Sequence, residues 1–117
     1  MLRLLRATRN TANGLRACAR SEQAFRKEIV VLVIALPLAC FVATSFWRWV
    51  ALIGVLLLIL VVELLNTGLE KLADHVTPDT NAAIGRVKDM GSAAVGLALL
   101  IAGITWLLAL AERFGLI

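Results

Sequence analysis

Residues 49–62 carry no charged side chain, and position 63 is a glutamate. Fourteen uncharged residues that are apolar all round a helix put Glu63 in hydrocarbon or at its edge, where an isolated carboxylate is costly. Such a group needs a partner or a task. The continuation, VVELLNTGLEKLAD at residues 61–74, sets Glu63, Asn66, Glu70 and Asp74 at steps of +3, +4 and +4. On a helix these four share one face over about three turns. A solvated soluble helix also shows a polar face, but it does not follow a stretch that is apolar on every side.

The 117 residues suit one domain, spanning 1–117. A hydrophobic share of 61% and a mean hydropathy of +0.89 exceed what a soluble domain of this size can bury. The chain reads as an all-α integral membrane protein. Seven basic residues fall within the first 27, namely Arg3, Arg6, Arg9, Arg16, Arg20, Arg26 and Lys27. In a membrane protein this points to anionic lipid or to topology control, and nucleic acid is not an expected partner. Cys18 and Cys40 lie in different segments without metal-binding spacing and read as small apolar fillers. No cleavable signal peptide is expected, because no apolar core promptly follows the Arg-rich start.

Residues 2–27 alternate Leu2, Leu5, Leu15, Cys18, Ala19 and Phe25 with arginines, as in an amphipathic helix on a membrane surface. A break is expected near Asn13-Gly14, and Ser21 is a candidate cap for a helix that begins at Ser21. Spans are expected at about 29–46, 50–65 and 90–110, each close to the length that crosses about 30 Å of hydrocarbon. Glu28 opens the first span and Pro37 should kink it. Trp47 and Trp49 mark an interfacial turn. The second helix should continue to about 74, followed by a loop at 76–84, and a third helix should begin near Gly85. Gly91, Ala94, Ala98 and Ala102 form a small-residue stripe, with Gly96 and Gly103 as a second patch, suited to close helix packing. The excess of Lys and Arg before the first span and between the second and third puts the N-terminus and the 71–88 loop in the cytoplasm and the C-terminus outside.

On that orientation Glu22, Glu28, Glu63, Asn66, Glu70, Lys88, Asp89 and Ser92 all fall on the cytoplasmic side. Several carboxylates with an amide and a lysine suit a hard cation whose shell is completed by phosphate, as Mg²⁺ prefers. Lys88 can neutralise phosphate charge. Desolvation makes a carboxylate a better proton acceptor, and Glu63 is the deepest one. No G-x-x-x-x-G-K-[ST] and no protein-kinase loop signature is present. From these residues alone a membrane enzyme and a small proton or ion pathway are close rivals. The lack of ionisable residues through the rest of the spans favours the enzyme, since a conduit needs polar groups at every depth.

VVELLNTGLEKLAD followed by GRVKDMGSAAV resembles the bacterial integral-membrane diacylglycerol kinase family, which carries E-x-x-N-[ST]-[AG]-[IL]-E and then K-D-x-[AG]-[SA]-A-A. GLRACARSEQAFRKE, at residues 14–28, is similar to the family's N-terminal segment ending in E-x-A-F-R-x-E. The resemblance covers nearly the whole chain. It implies a homotrimer of three-span subunits with a surface helix. It also implies Mg²⁺- and ATP-dependent phosphorylation of diacylglycerol to phosphatidic acid at the cytoplasmic face of the inner membrane. Carried over by position, Glu63 is the general base on the lipid hydroxyl, and Glu22 and Glu70 hold the metal. Asn66, Lys88 and Asp89 bind or orient the nucleotide phosphates, with Arg3 and Thr11 as weaker nucleotide contacts. Asp74 and Ser92 line the substrate side with Glu63 and Asn66. Asn10, Ala12 and Ala19 depart from the bulkier residues expected there. Undecaprenol is the alternative acceptor within the family, and a non-enzymatic membrane oligomer is the alternative outside it.

Overall fold

The structure, a computed structural model, describes residues 1–77, 79 and 81–117, so Pro78 and Thr80 of the expected 76–84 loop lie outside the described residues. Four helices account for most of the chain: α1 (Leu2–Ser21), α2 (Gln23–Val42), α3 (Phe46–Val76) and α4 (Ala82–Arg113). There is no strand among the described residues, as an all-α protein requires.

α1 runs straight through Asn13-Gly14. One helical glycine costs about 1 kcal/mol, too little to break a helix that gains elsewhere. The chain turns instead at Glu22, whose backbone is extended (φ −119°, ψ 114°). Arg26 Nη1 fixes this corner by donating to Ala19 O at 2.7 Å and Arg20 O at 3.1 Å, which satisfies carbonyls at the end of α1. Ser21 therefore ends α1 rather than capping α2, whose N-cap is Glu22. Ser45 Oγ accepts from Arg48 N at 3.3 Å and starts α3. Asn81 Oδ1 accepts from Ala83 N and Ile84 N at 2.9 and 3.2 Å, so α4 begins ahead of the expected Gly85.

α2, α3 and α4 run up, down and up beside one another. Ala35, Ala39 and Val42 of α2 meet Leu52 and Ile53 of α3 and Ala109 of α4 at one end. Ile59 packs on Ala98 and Ala102 midway. The face of α4 that is buried is Gly91, Ala98, Ala102 and Ala109, at steps of +7, +4 and +7. Ala94 is exposed, so the expected +3 step is corrected to a seven-residue one. The stripe seats α4 on α3 of the same chain, and Gly96 and Gly103 face open space. Trp106 is half-buried and donates Nε1–H to Leu52 O at 3.2 Å. Beyond it, Arg48 Nε and Nη2 donate to the two Glu112 oxygens at 3.0 and 3.1 Å, and Thr44 Oγ1 donates to Oε1 at 2.7 Å. The Arg48 guanidinium, helped by the Thr44 hydroxyl, holds the Glu112 carboxyl below its ordinary range.

α3 and α4 are long and apolar enough to cross a membrane. α2 carries Arg26, Lys27 and Glu28 in its first turns and stops at Val42, so no stretch of it of spanning length is free of those charges. Val30, Val33, Ile34 and Phe41 of α2 and Leu97, Leu100 and Leu107 of α4 remain exposed. Apolar bands of this extent suit hydrocarbon or further protein. The extents are 53 × 42 × 22 Å. A 32-residue helix is about 48 Å long and explains the first, whereas three adjacent helices are narrower than the second. α1, buried only at Cys18, extends away from the bundle.

Ala98, 3% exposed, should not accept a larger side chain. Ala98→Leu is expected to destabilise by about 1–3 kcal/mol through overpacking, and Ala94→Leu to stay within about 0.5 kcal/mol of the parent, read as denaturation midpoints in detergent. Equal losses at both positions would contradict the seven-residue packing register.

Candidate active site

The end of the bundle opposite the Arg48–Glu112 pair is polar. Its one buried charged group among the described residues is Glu63, 8% exposed, with Thr67 one turn further on at 5%. Both are buried because α3 turns this face towards its neighbours, not towards solvent. Across from Glu63 stands Glu28 of α2, half-buried, its carboxyl facing the Glu63 carboxyl and its Oε2 buried without a hydrogen-bond partner. Glu28 lies just ahead of the apolar run that starts at Ile29. Burial first, and then the Glu63 carboxyl, push its pKa up to about 7.

One turn along α3, Asn66 Nδ2 donates to Glu70 Oε1 at 3.3 Å. Asn66 Oδ1 is buried without a hydrogen-bond partner and rests against Gly91 of α4. A Cβ at position 91 would collide with Asn66 Oδ1 and come within 3.1 Å of Leu69 Cδ2. Gly91 thus lets the α4 backbone close over the Asn66 amide. Further out, Lys88 Nζ meets Asp74 Oδ1 at 2.5 Å, with the two side chains 40% and 63% exposed.

The structure therefore gathers the α3 face in the expected order and links it to α4 at two points, Asn66 with Gly91 and Asp74 with Lys88. Asp89 and Ser92 are exposed on α4 beside these contacts. Glu22 sits half-buried at the α1–α2 corner, and Arg26, four residues on, is taken up by the α1 carbonyls. Arg3 and Thr11 are exposed on α1, and Thr11 Oγ1 donates to Ala7 O at 3.0 Å within its own helix. Neither forms a hydrogen bond with α3 or α4 among the described residues. Thr67 and the Glu28–Glu63 contact are additions to the expected set. Thr67 could have been read from its +4 spacing to Glu63, but a neutral hydroxyl carries no burial alarm.

No group of three His, Cys, Asp or Glu side chains is close enough to hold a metal alone among the described residues. The donors present are carboxylate and amide oxygens, with Asn66 Oδ1 lacking a partner. Such a set fits a hard cation that takes the rest of its shell from phosphate and water.

The long apolar helices with a buried carboxylate and an amide–carboxylate pair at one end define a membrane protein with a polar site at one boundary. The pattern of prokaryotic diacylglycerol kinases matches residues 9–110. The diacylglycerol kinase of Escherichia coli K12 is 38% identical over 97% of this chain and 93% of that protein. That of Pseudomonas aeruginosa PAO1 is 38% identical over 89% and 85%, and that of Haemophilus influenzae Rd 35% over 88% and 87%. The chain belongs to the prokaryotic diacylglycerol kinase family. Membership in a family of kinases sets it among enzymes rather than scaffolds or conduits.

Gly91→Ala is expected to preserve helix content and to lower phosphotransfer by about 10²-fold, because displacing the Asn66 amide by an ångström or so disorders the Glu70 contact. Circular dichroism and a coupled kinase assay measure the two. Full activity would mean that the Asn66 orientation is immaterial.

Proposed function

We propose that this chain transfers the γ-phosphoryl group of ATP to the hydroxyl of diacylglycerol, giving phosphatidic acid, at the cytoplasmic face of a bacterial inner membrane. The observation that carries this reading is Glu63: a carboxylate buried at the end of an apolar helix, with the Asn66–Glu70 pair one turn further out. A lipid hydroxyl reaches such a depth from the bilayer, whereas a nucleotide approaches from the exposed Asp74–Lys88 end.

Glu63 accepts the hydroxyl proton as the lipid oxygen bonds to the γ-phosphorus and the bond to the ADP oxygen breaks. Asn66 orients phosphate through its amide, and Lys88 exchanges Asp74 for phosphate charge. Asp89, Arg3 and Thr11 supply outer nucleotide contacts, and Ser92 and Asp74 flank the acceptor. Glu22 and Glu70 are the residues that would hold Mg²⁺, which when bound neutralises phosphate charge.

α2 is the third span: its apolar residues 29–42 cover about 21 Å, and its first turns complete the crossing with Arg26 and Lys27 reaching back to the cytoplasmic interface. α1, leaving the bundle with its leucines and arginines, lies on that surface. The open apolar bands on α2 and α4 pack against two further copies in a homotrimer, and each site draws residues from two neighbours.

In mixed micelles Glu63→Gln should insert normally and lose about 10²–10⁴-fold in turnover, with ATP binding little changed. Turnover within about threefold of the parent would refute the base assignment. Offering undecaprenol beside diacylglycerol decides the acceptor. For the shared site, trimers mixed from Glu63→Gln and Lys88→Ala or Glu22→Ala subunits should recover part of the activity in at least one pairing. Failure of every pairing in cross-linked mixed trimers would put the site within one subunit.

A further inference from the structure

We propose that Glu28 is a positioning residue for Glu63, holding the single proton of a carboxyl pair and donating it as a hydrogen bond to the Glu63 carboxylate. The inference rests on Glu63 acting as the base.

Three observations point to it. Glu28 Oε2 is buried and has no hydrogen-bond partner. The group it touches is Glu63, itself buried. No cation stands between them: Arg26 is committed to Ala19 O and Arg20 O, Lys27 is exposed, and the ion pairs among the described residues are Arg48–Glu112 and Lys88–Asp74. Glu63 on α3 is the one ionisable group that perturbs Glu28, and neither α1 nor α4 contributes one.

Two carboxylates in contact, shielded from water and without a cation, cannot both be ionised cheaply, so one proton bridges them. The holder is Glu28, whose Oε2 is the buried oxygen left without another partner, and burial beside Glu63 keeps it protonated up to about pH 7. The donated hydrogen bond fixes the Glu63 rotamer and leaves a lone pair of Glu63 to receive the lipid hydroxyl proton. Once Glu28 ionises, repulsion between the carboxylates pushes the base out of line. The sign is that of a raised carboxyl: the bridging proton is present at low pH and is lost as pH rises through about 7.

The test compares kcat at saturating Mg-ATP and diacylglycerol from about pH 6 to about pH 9 for the parent, Glu28→Gln, Glu28→Ala and Glu63→Gln. The parent should lose turnover on the alkaline side. Glu28→Gln keeps a donor that does not titrate; it should be about threefold slower near pH 6 and show no alkaline loss. Glu28→Ala has no donor and should be about 10²-fold slower throughout, with KM for Mg-ATP within about threefold in both. The infrared band of a protonated carboxyl, seen in the parent near neutrality, should be missing from Glu28→Gln, a readout that a purely structural residue would not move. An unchanged alkaline limb in Glu28→Gln, or equal turnover in the Gln and Ala variants, overturns the proposal while leaving Glu63 as the base. An active Glu63→Gln overturns the base reading itself and the pair with it. If Glu28→Ala fails to fold by circular dichroism, the Glu28→Gln pH profile and infrared band decide alone.

Discussion

The approach of α4 to α3 along Gly91, Ala98, Ala102 and Ala109 is the constraint on which the rest depends. Helices in lipid gain little from hiding apolar surface from one another, so association rests on close packing and on polar contacts between them. Small residues bring the two backbones together, and the Trp106–Leu52 hydrogen bond and the Arg48–Glu112 pair lock the far end. With that end fixed and the middle filled by Ile59, the near end has no freedom to splay. Gly91 then lies directly on Asn66.

From this packing follows a graded polar face. Along α3, Glu63 is buried, Asn66 and Glu70 are half-buried, and Asp74 is exposed. No residue of the site needs a positive φ, since the one positive-φ residue among those described is Gly115. The gradient matters for chemistry because the same carboxyl type behaves differently at each depth. In the proposed reaction the deep end meets a lipid hydroxyl and the shallow end meets a multiply charged nucleotide.

The +3, +4, +4 face was legible because helical spacing is rigid and charge after an apolar run is conspicuous. Less was legible where two segments had to meet. Glu28 could be seen to open the apolar run of α2, but its neighbour across the bundle follows from the antiparallel register of α2 and α3, which spacing within one segment does not encode. The α1 boundary was misplaced for a similar reason. Gly14 is a weak helix breaker, whereas the stop at Glu22 is made by Arg26 reaching back to two carbonyls. For α4 the small residues were found but not their register, because Ala94 and Ala98 are chemically the same and only the partner helix distinguishes them.

Lys88 shows how the exposed end can be both ordered and available. Its pair with Asp74 is short, but both groups are well exposed, and such a pair contributes about 1 kcal/mol or less. Phosphate offers a larger negative charge and several acceptor oxygens, so in the proposed reaction it displaces Asp74 at little cost. The Asp74 contact keeps Lys88 from extending into solvent, which limits the side-chain entropy lost when phosphate arrives. The Glu28–Glu63 contact lies where water is scarce, so exchanging its partner is more costly than it is at the Lys88 end. In the proposed reaction the weak pair at the rim lets the nucleotide come and go, while the Glu28–Glu63 contact at depth keeps the base in place.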